Sequence, residues 1–128
     1  MTYHFTTTVD KSFDETIEYV TGKLKEKGFG VLTTIDVKKA MKEKIDKDIR
    51  PYTILGSCNP SYAYKALQAE NKIGTMLPCN VVVQETEDGK IEVSAVDPLA
   101  SMQAIENPTL GAVATEVQGM LKDVIAAL

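Results

Sequence analysis

The chain holds two cysteines, and each sits in a Cys-Asn dipeptide beside a proline: LGSCNP at 55–60 and MLPCNV at 76–81. A thiolate is both a nucleophile and a ligand for soft metal ions, so two thiols brought together can hold Cu(I) or Zn(II), or cycle to a disulfide. Cys58 stands immediately before the expected cap of a helix, where open N–H groups and the helix dipole favour a thiolate. Cys79 is expected on the core side of a strand, across from Asp97, where burial and the facing carboxylate both oppose ionisation. Cys58 is therefore the expected nucleophile of the pair. The plainer reading is that both are small buried residues at strand ends. The candidate ligand-binding set is Cys58, Asn59, Cys79, Asn80 and Asp97, and the candidate metal ligands are Cys58 and Cys79.

Whether the thiols meet depends on the chain between them. Residues 59–70 make about three turns of helix, roughly 16 Å, which carry the chain away from Cys58. Residues 71–78 can span up to about 27 Å when extended, enough to return it. Contact is permitted without being required. Two cysteines are too few for a structural zinc site, and their spacing is unlike paired C-x-x-C.

Other chemistry is sparse. His4, the one histidine, alternates with the apolar residues of a strand and is expected away from the core, so no Ser-His-Asp grouping assembles. No G-x-G-x-x-G or Walker loop occurs. Tyr52, Tyr62 and Tyr64 surround the Cys58 segment, where aromatic residues either pack or line a small pocket.

The elements that must position these residues follow from periodicity. YHFTTTV at 3–9 alternates as a half-buried strand, and Ser12 and Glu15 form a capping-box pattern ahead of a helix with Phe13, Ile17, Val20 and Leu24 on one stripe. Gly28 ends that helix. FGVLTTI reads as a second strand, and Asp36 as the cap of a lysine-rich helix carrying Val37, Ala40, Met41 and Ile45. RPYTILGS reads as a third strand. Asn59-Pro60 and Asn107-Pro108 each place a side-chain acceptor at an N-cap and proline at the first helical position, and Asp97-Pro98 starts a short turn in the same way. Leu110, Val113, Val117, Met120, Leu121, Val124 and Leu128 mark one side of a final helix.

Between these helices lie the strands CNVVVQET and KIEVSAV. A three-residue loop, Glu87 to Gly89 with the glycine left-handed, sets Val83 opposite Val93 and Val81 opposite Ala95, whereas a two-residue turn mixes polar with apolar residues on one face. The hairpin makes the sheet at least partly antiparallel and favours an α+β sandwich over a doubly wound nucleotide fold. The other sheet face, with Thr6, Thr8, Val82, Ser94 and Val96, is apolar enough to pack against a second subunit.

Composition narrows the function classes. At 128 residues, with 44% hydrophobic and 25% charged residues, the chain reads as a single domain, 1–128, with an ordinary core. No apolar run approaches the roughly 18 residues of a membrane span. The start, MTYHF, has neither a basic leader nor an apolar cleavable segment, so a cytoplasmic location with reduced thiols is expected. A net charge of -4 argues against nucleic-acid binding. The lysine-rich run VKKAMKEKIDK is interleaved with Glu43 and Asp46 and reads as a solvated helix face.

The segments KGFGVLTTIDVKKAMKEK, YTILGSCNPSYAYKAL, IGTMLPCNVVVQE and DGKIEVSAVDP, with the short segment around Met102, resemble a bacterial and archaeal family catalogued as domain of unknown function 302. The resemblance implies a two-layer α+β sandwich with a largely antiparallel sheet, a topology similar to that of the TATA-binding protein, and assembly as a homodimer. It implies no catalytic residue, substrate or cofactor. Residues and resemblance together favour a homodimeric domain that binds a small ligand or soft metal ion through thiols near strand ends. The alternatives are a thiol-dependent redox or enzyme module with Cys58 as nucleophile, and a structural protein-interaction module.

Overall fold

Local rules set the helix starts. In the computed structural model, which describes residues 2–128, Ser12 Oγ accepts from Glu15 N (3.2 Å) ahead of α1, Phe13–Glu26. Asp36 Oδ1 accepts from Lys39 N (2.9 Å) ahead of α2, Val37–Ile45. Asn107 Oδ1 accepts from Thr109 N and Leu110 N at the head of the longest helix, Pro108–Ala126. Five strands alternate with these helices: β1 His4–Val9, β2 Gly30–Asp36, β3 Tyr52–Cys58, β4 Cys79–Glu85 and β5 Ile91–Val96. Helix α3, Pro60–Ala69, and a 3-10 turn, Ile73–Met76, lie between β3 and β4, and the short α4, Pro98–Ser101, separates β5 from α5, Pro108–Ala126.

The sheet order is β1-β5-β4-β3-β2, and every neighbouring pair is antiparallel. The β4–β5 hairpin thus sits at the centre, while β1 and β2 occupy opposite edges joined by α1. Its register pairs Val83 with Val93 and Val81 with Ala95, and Gly89 turns at φ 78°, as the three-residue loop requires. That parity sends Val81, Val83, Ile91, Val93, Ala95, Thr53, Leu55 and Ser57 to one face, where all are buried beneath the helices. Val20 and Leu24 of α1 and Leu110, Leu121 and Val124 of α5 close the layer from the other side. The result is the α+β two-layer sandwich.

The opposite face stays open. Tyr52, Ile54, Val82, Ser94 and Val96 are half-buried there, and Thr6, Thr8 and Ile35 are exposed. The β2 edge departs from its sequence pattern, because a bulge between Val31 and Thr33 leaves Leu32 unpaired and 71% exposed. Helix α2 has an apolar stripe but buries none of its residues; the element it packs against is β3. No helix among the described residues is long and apolar enough to cross a membrane.

Candidate functional site

Two strand pairings bring the thiols together. Ser57 is paired across the ladder with Cys79, and its Oγ donates to the Cys79 carbonyl at 2.7 Å, fixing the start of β4 against the end of β3. Cys58 follows at the last position of β3, paired with Gly30 of β2. Both thiols are free, and both line one cavity of about 30 Å³ between the sheet end and helices α3 and α5. A space of that size accommodates roughly one or two water-sized particles, far less than an organic substrate needs.

The walls are apolar. Phe29, Leu77, Val113 and Val117 face the cavity together with the start of α3 and Met102. Phe29 is aimed by the end of α1: Gly28 takes φ 86°, Gly28 N donates to Lys25 O, and Phe29 N donates back to Leu24 O at 2.9 Å. This paired closure leaves Phe29 buried behind the thiols.

Asn59 also borders the cavity, but its side chain does not cap α3. Its Nδ2 donates to Lys27 O at 3.2 Å, satisfying a carbonyl left open at the end of α1. Asn59 keeps the N-cap position, with Ala63 N donating to its carbonyl at 2.9 Å, and only the expected side-chain cap is corrected: the amide is turned towards the end of α1 instead. Gly28 is close enough to this amide that a Cβ there would meet Nδ2 at 3.2 Å.

The expected ionisation of Cys58 is also reversed. Burial pushes its thiol up, so the open helix start does not make it a thiolate at neutral pH. Cys79 is pushed up to about 11, first by burial and second by the neighbouring Cys58. Asp97 takes no part in that shift. The β4–β5 pairing ends at Val81 and Ala95, and Asp97 N instead donates to Tyr3 O at 2.8 Å. The Asp97 carboxylate caps α4 by accepting from Leu99 N (3.0 Å) and receives Gln118 Nε2 at 3.1 and 3.2 Å.

The structure thus gathers Cys58, Asn59 and Cys79 around one cavity and places Asp97 outside its lining. Asn80 is exposed on the open face, where it lines a shallow concavity with Tyr52, Val82, Glu92 and His4. There His4 Nδ1 and Thr6 Oγ1 lie 2.6 Å apart, and Thr6 Oγ1 and Ser94 Oγ 2.8 Å apart. Of the tyrosines flanking Cys58, Tyr62 lines the thiol cavity, Tyr52 lies on the open face, and Tyr64 is exposed. Met102 and Phe29 are cavity residues without a periodic sequence signal. The clue to Met102 was the family resemblance of the short segment that holds it.

Residues 5–128 match the profile of the family described as Domain of unknown function DUF302. No curated protein matches. The chain is similar to a protein of known structure, an uncharacterised conserved DUF302 protein from Bacillus stearothermophilus. The two are 29% identical, with a TM-score of 0.91 over 98% of each chain.

Proposed function

The chain belongs to the DUF302 family, and from that premise we propose that it is a homodimeric binding domain whose two thiols hold an ion-sized soft occupant in the cavity beside Cys58 and Cys79. The observation that carries the reading is the convergence of the chain's two cysteines, from separate strands, on one apolar cavity of about 30 Å³. A space that small suits a soft metal ion and not an organic ligand. The protonated state of both thiols at neutral pH argues for binding, in which a metal displaces the protons, over nucleophilic attack by a standing thiolate. Asn59 contributes as a brace between α1 and α3.

Titration of the reduced protein with Cu(I), Ag(I) and Zn(II), read against Cys58→Ser and Cys79→Ser, tests this reading. A saturable soft-ion site lost in both variants is the expected result, and equal binding by wild type and variants refutes it.

The second copy is assigned to the open sheet face. Ile54, Val82 and Val96 there are only half-buried, and the hydroxyl pair Thr6–Ser94 lies beside them. Sedimentation is expected to give a dimer that Val82→Glu converts to a monomer. A wild-type monomer at micromolar concentration removes this part of the proposal.

A further inference from the structure

We infer that Met102 supplies a third sulfur to the cavity, and that its occupant is a monovalent soft cation, Cu(I) or its analogue Ag(I), held by Cys58, Cys79 and Met102. The inference rests on the two-thiol reading above and deepens it. Met102 lines the same cavity as both cysteines and is 9% exposed. A thioether in an apolar wall is a commonplace packing element, but one that shares an ion-sized space with two thiols completes a sulfur-only donor set.

The other polar groups at the cavity are neutral: Ser57 Oγ donates to Cys79 O and Asn59 Nδ2 donates to Lys27 O, which leaves a hydroxyl and an amide oxygen, hard donors that suit Cu(I) poorly. Among the described residues no carboxylate or imidazole lines the cavity, and the one histidine of the sequence, His4, borders the concavity on the open face. Among the described residues no three His, Cys, Asp or Glu side chains gather into a metal-binding group. Zn(II) closes a tetrahedral shell in which imidazole, carboxylate or further thiolates complete two Cys ligands, and this lining supplies none of these, whereas thiolates and a thioether select Cu(I).

The neighbouring elements hold Met102 in place. Met102 N donates to Pro98 O at 3.0 Å, closing α4. Asp97 caps the start of that turn and is tied by Gln118 to α5, which also supplies Val117 to the cavity wall. Asp97 is thereby a positioning residue for Met102. On binding, each thiol releases its proton to solvent as a sulfur–copper bond forms. Copper enters and stays as Cu(I), no electron moves, and the complex carries one net negative charge. The start of α3 beside Cys58, free of a side-chain cap, offers its dipole to that charge.

Competition for Cu(I) between the reduced protein and a chromogenic Cu(I) chelator tests the inference, with Met102→Leu and Cys58→Ser/Cys79→Ser as variants. Leucine conserves volume, and the melting temperature of the metal-free variant reports whether the fold survives. Met102→Leu is expected to weaken Cu(I) by at least the roughly 10- to 100-fold that loss of an outer-shell partner causes, with Zn(II) affinity unchanged. Copper X-ray absorption of the wild type needs no variant, and a third sulfur neighbour is expected. Wild-type Cu(I) affinity in Met102→Leu, with binding lost in the double cysteine variant, overturns the role of Met102 and leaves the two-thiol reading standing. A wild type that takes up no Cu(I) overturns both. A copper shell of two sulfurs also overturns the role of Met102.

Discussion

Cys58-Asn59 and Cys79-Asn80 are the same dipeptide with opposite outcomes. In the first, β3 ends at the cysteine, so the chain turns and the asparagine leaves the sheet to brace the end of α1. In the second, β4 begins at the cysteine, so strand alternation buries Cys79 against Ser57 and turns Asn80 outward to the open face. The cysteines converge because the ladder makes the end of one strand and the start of the next neighbours. The asparagines diverge because only one of them stays in a strand. Identical neighbours in sequence therefore say nothing about a shared site: strand parity places Cys79 and Asn80, and the end of β3 places Cys58 and Asn59.

The largest expected effect that sharpens this contrast lies in the thiols. Cys79 is raised from an ordinary 9.0 to about 11, so between those pH values the unfolded chain binds fewer protons than the native one. Its contribution is fully present below pH 9 and is lost as pH rises towards 11, by about 2–3 kcal/mol. Urea denaturation across that window is expected to show the decline, and Cys79→Ala to flatten it more than Cys58→Ala. Equal slopes in the two variants would erase the distinction between a buried and a bordering thiol.

The asparagines give a smaller effect. Asn59→Ala is expected to cost about 1 kcal/mol, because it leaves Lys27 O without its donor. Asn80→Ala is expected to stay within about 0.5 kcal/mol, since its side chain is exposed. Chemical denaturation of the two variants side by side checks the difference, and matching losses would contradict it.

Much of the frame was legible from local pattern. The hairpin register followed from two alternating strands and Gly89, since a one-residue slip exposes an apolar set. The caps at Ser12, Asp36, Asp97 and Asn107 were legible because each acceptor acts within three residues. The outward turn of Asn80 was implicit in the same alternation that placed Val81 and Val83 inward. The brace at Asn59 was not legible, because it depends on where the end of α1 lands. Nor was the state of Cys58: helix-start electrostatics are local, but the burial that raises its thiol comes from Phe29, α3 and α5 closing over the sheet end. Helix α2, read as a solvated lysine-rich face capped by Asp36, was legible for the same local reasons, and none of its residues is buried.

The strand order β1-β5-β4-β3-β2 also governs when the site can exist during synthesis. The central hairpin is made of residues 79–96, later in the chain than both edge strands, and the cavity wall is completed only by Val117 of α5. A nascent chain that has emitted β1, α1, β2 and β3 holds Cys58 at the end of an unfinished ladder. The second thiol arrives with β4 by a comparatively local pairing, whereas β1 must wait for β5, a contact of long sequence separation and the slow kind of folding step. The site is therefore assembled only once β4 has joined β3 and α5 has closed over the sheet end.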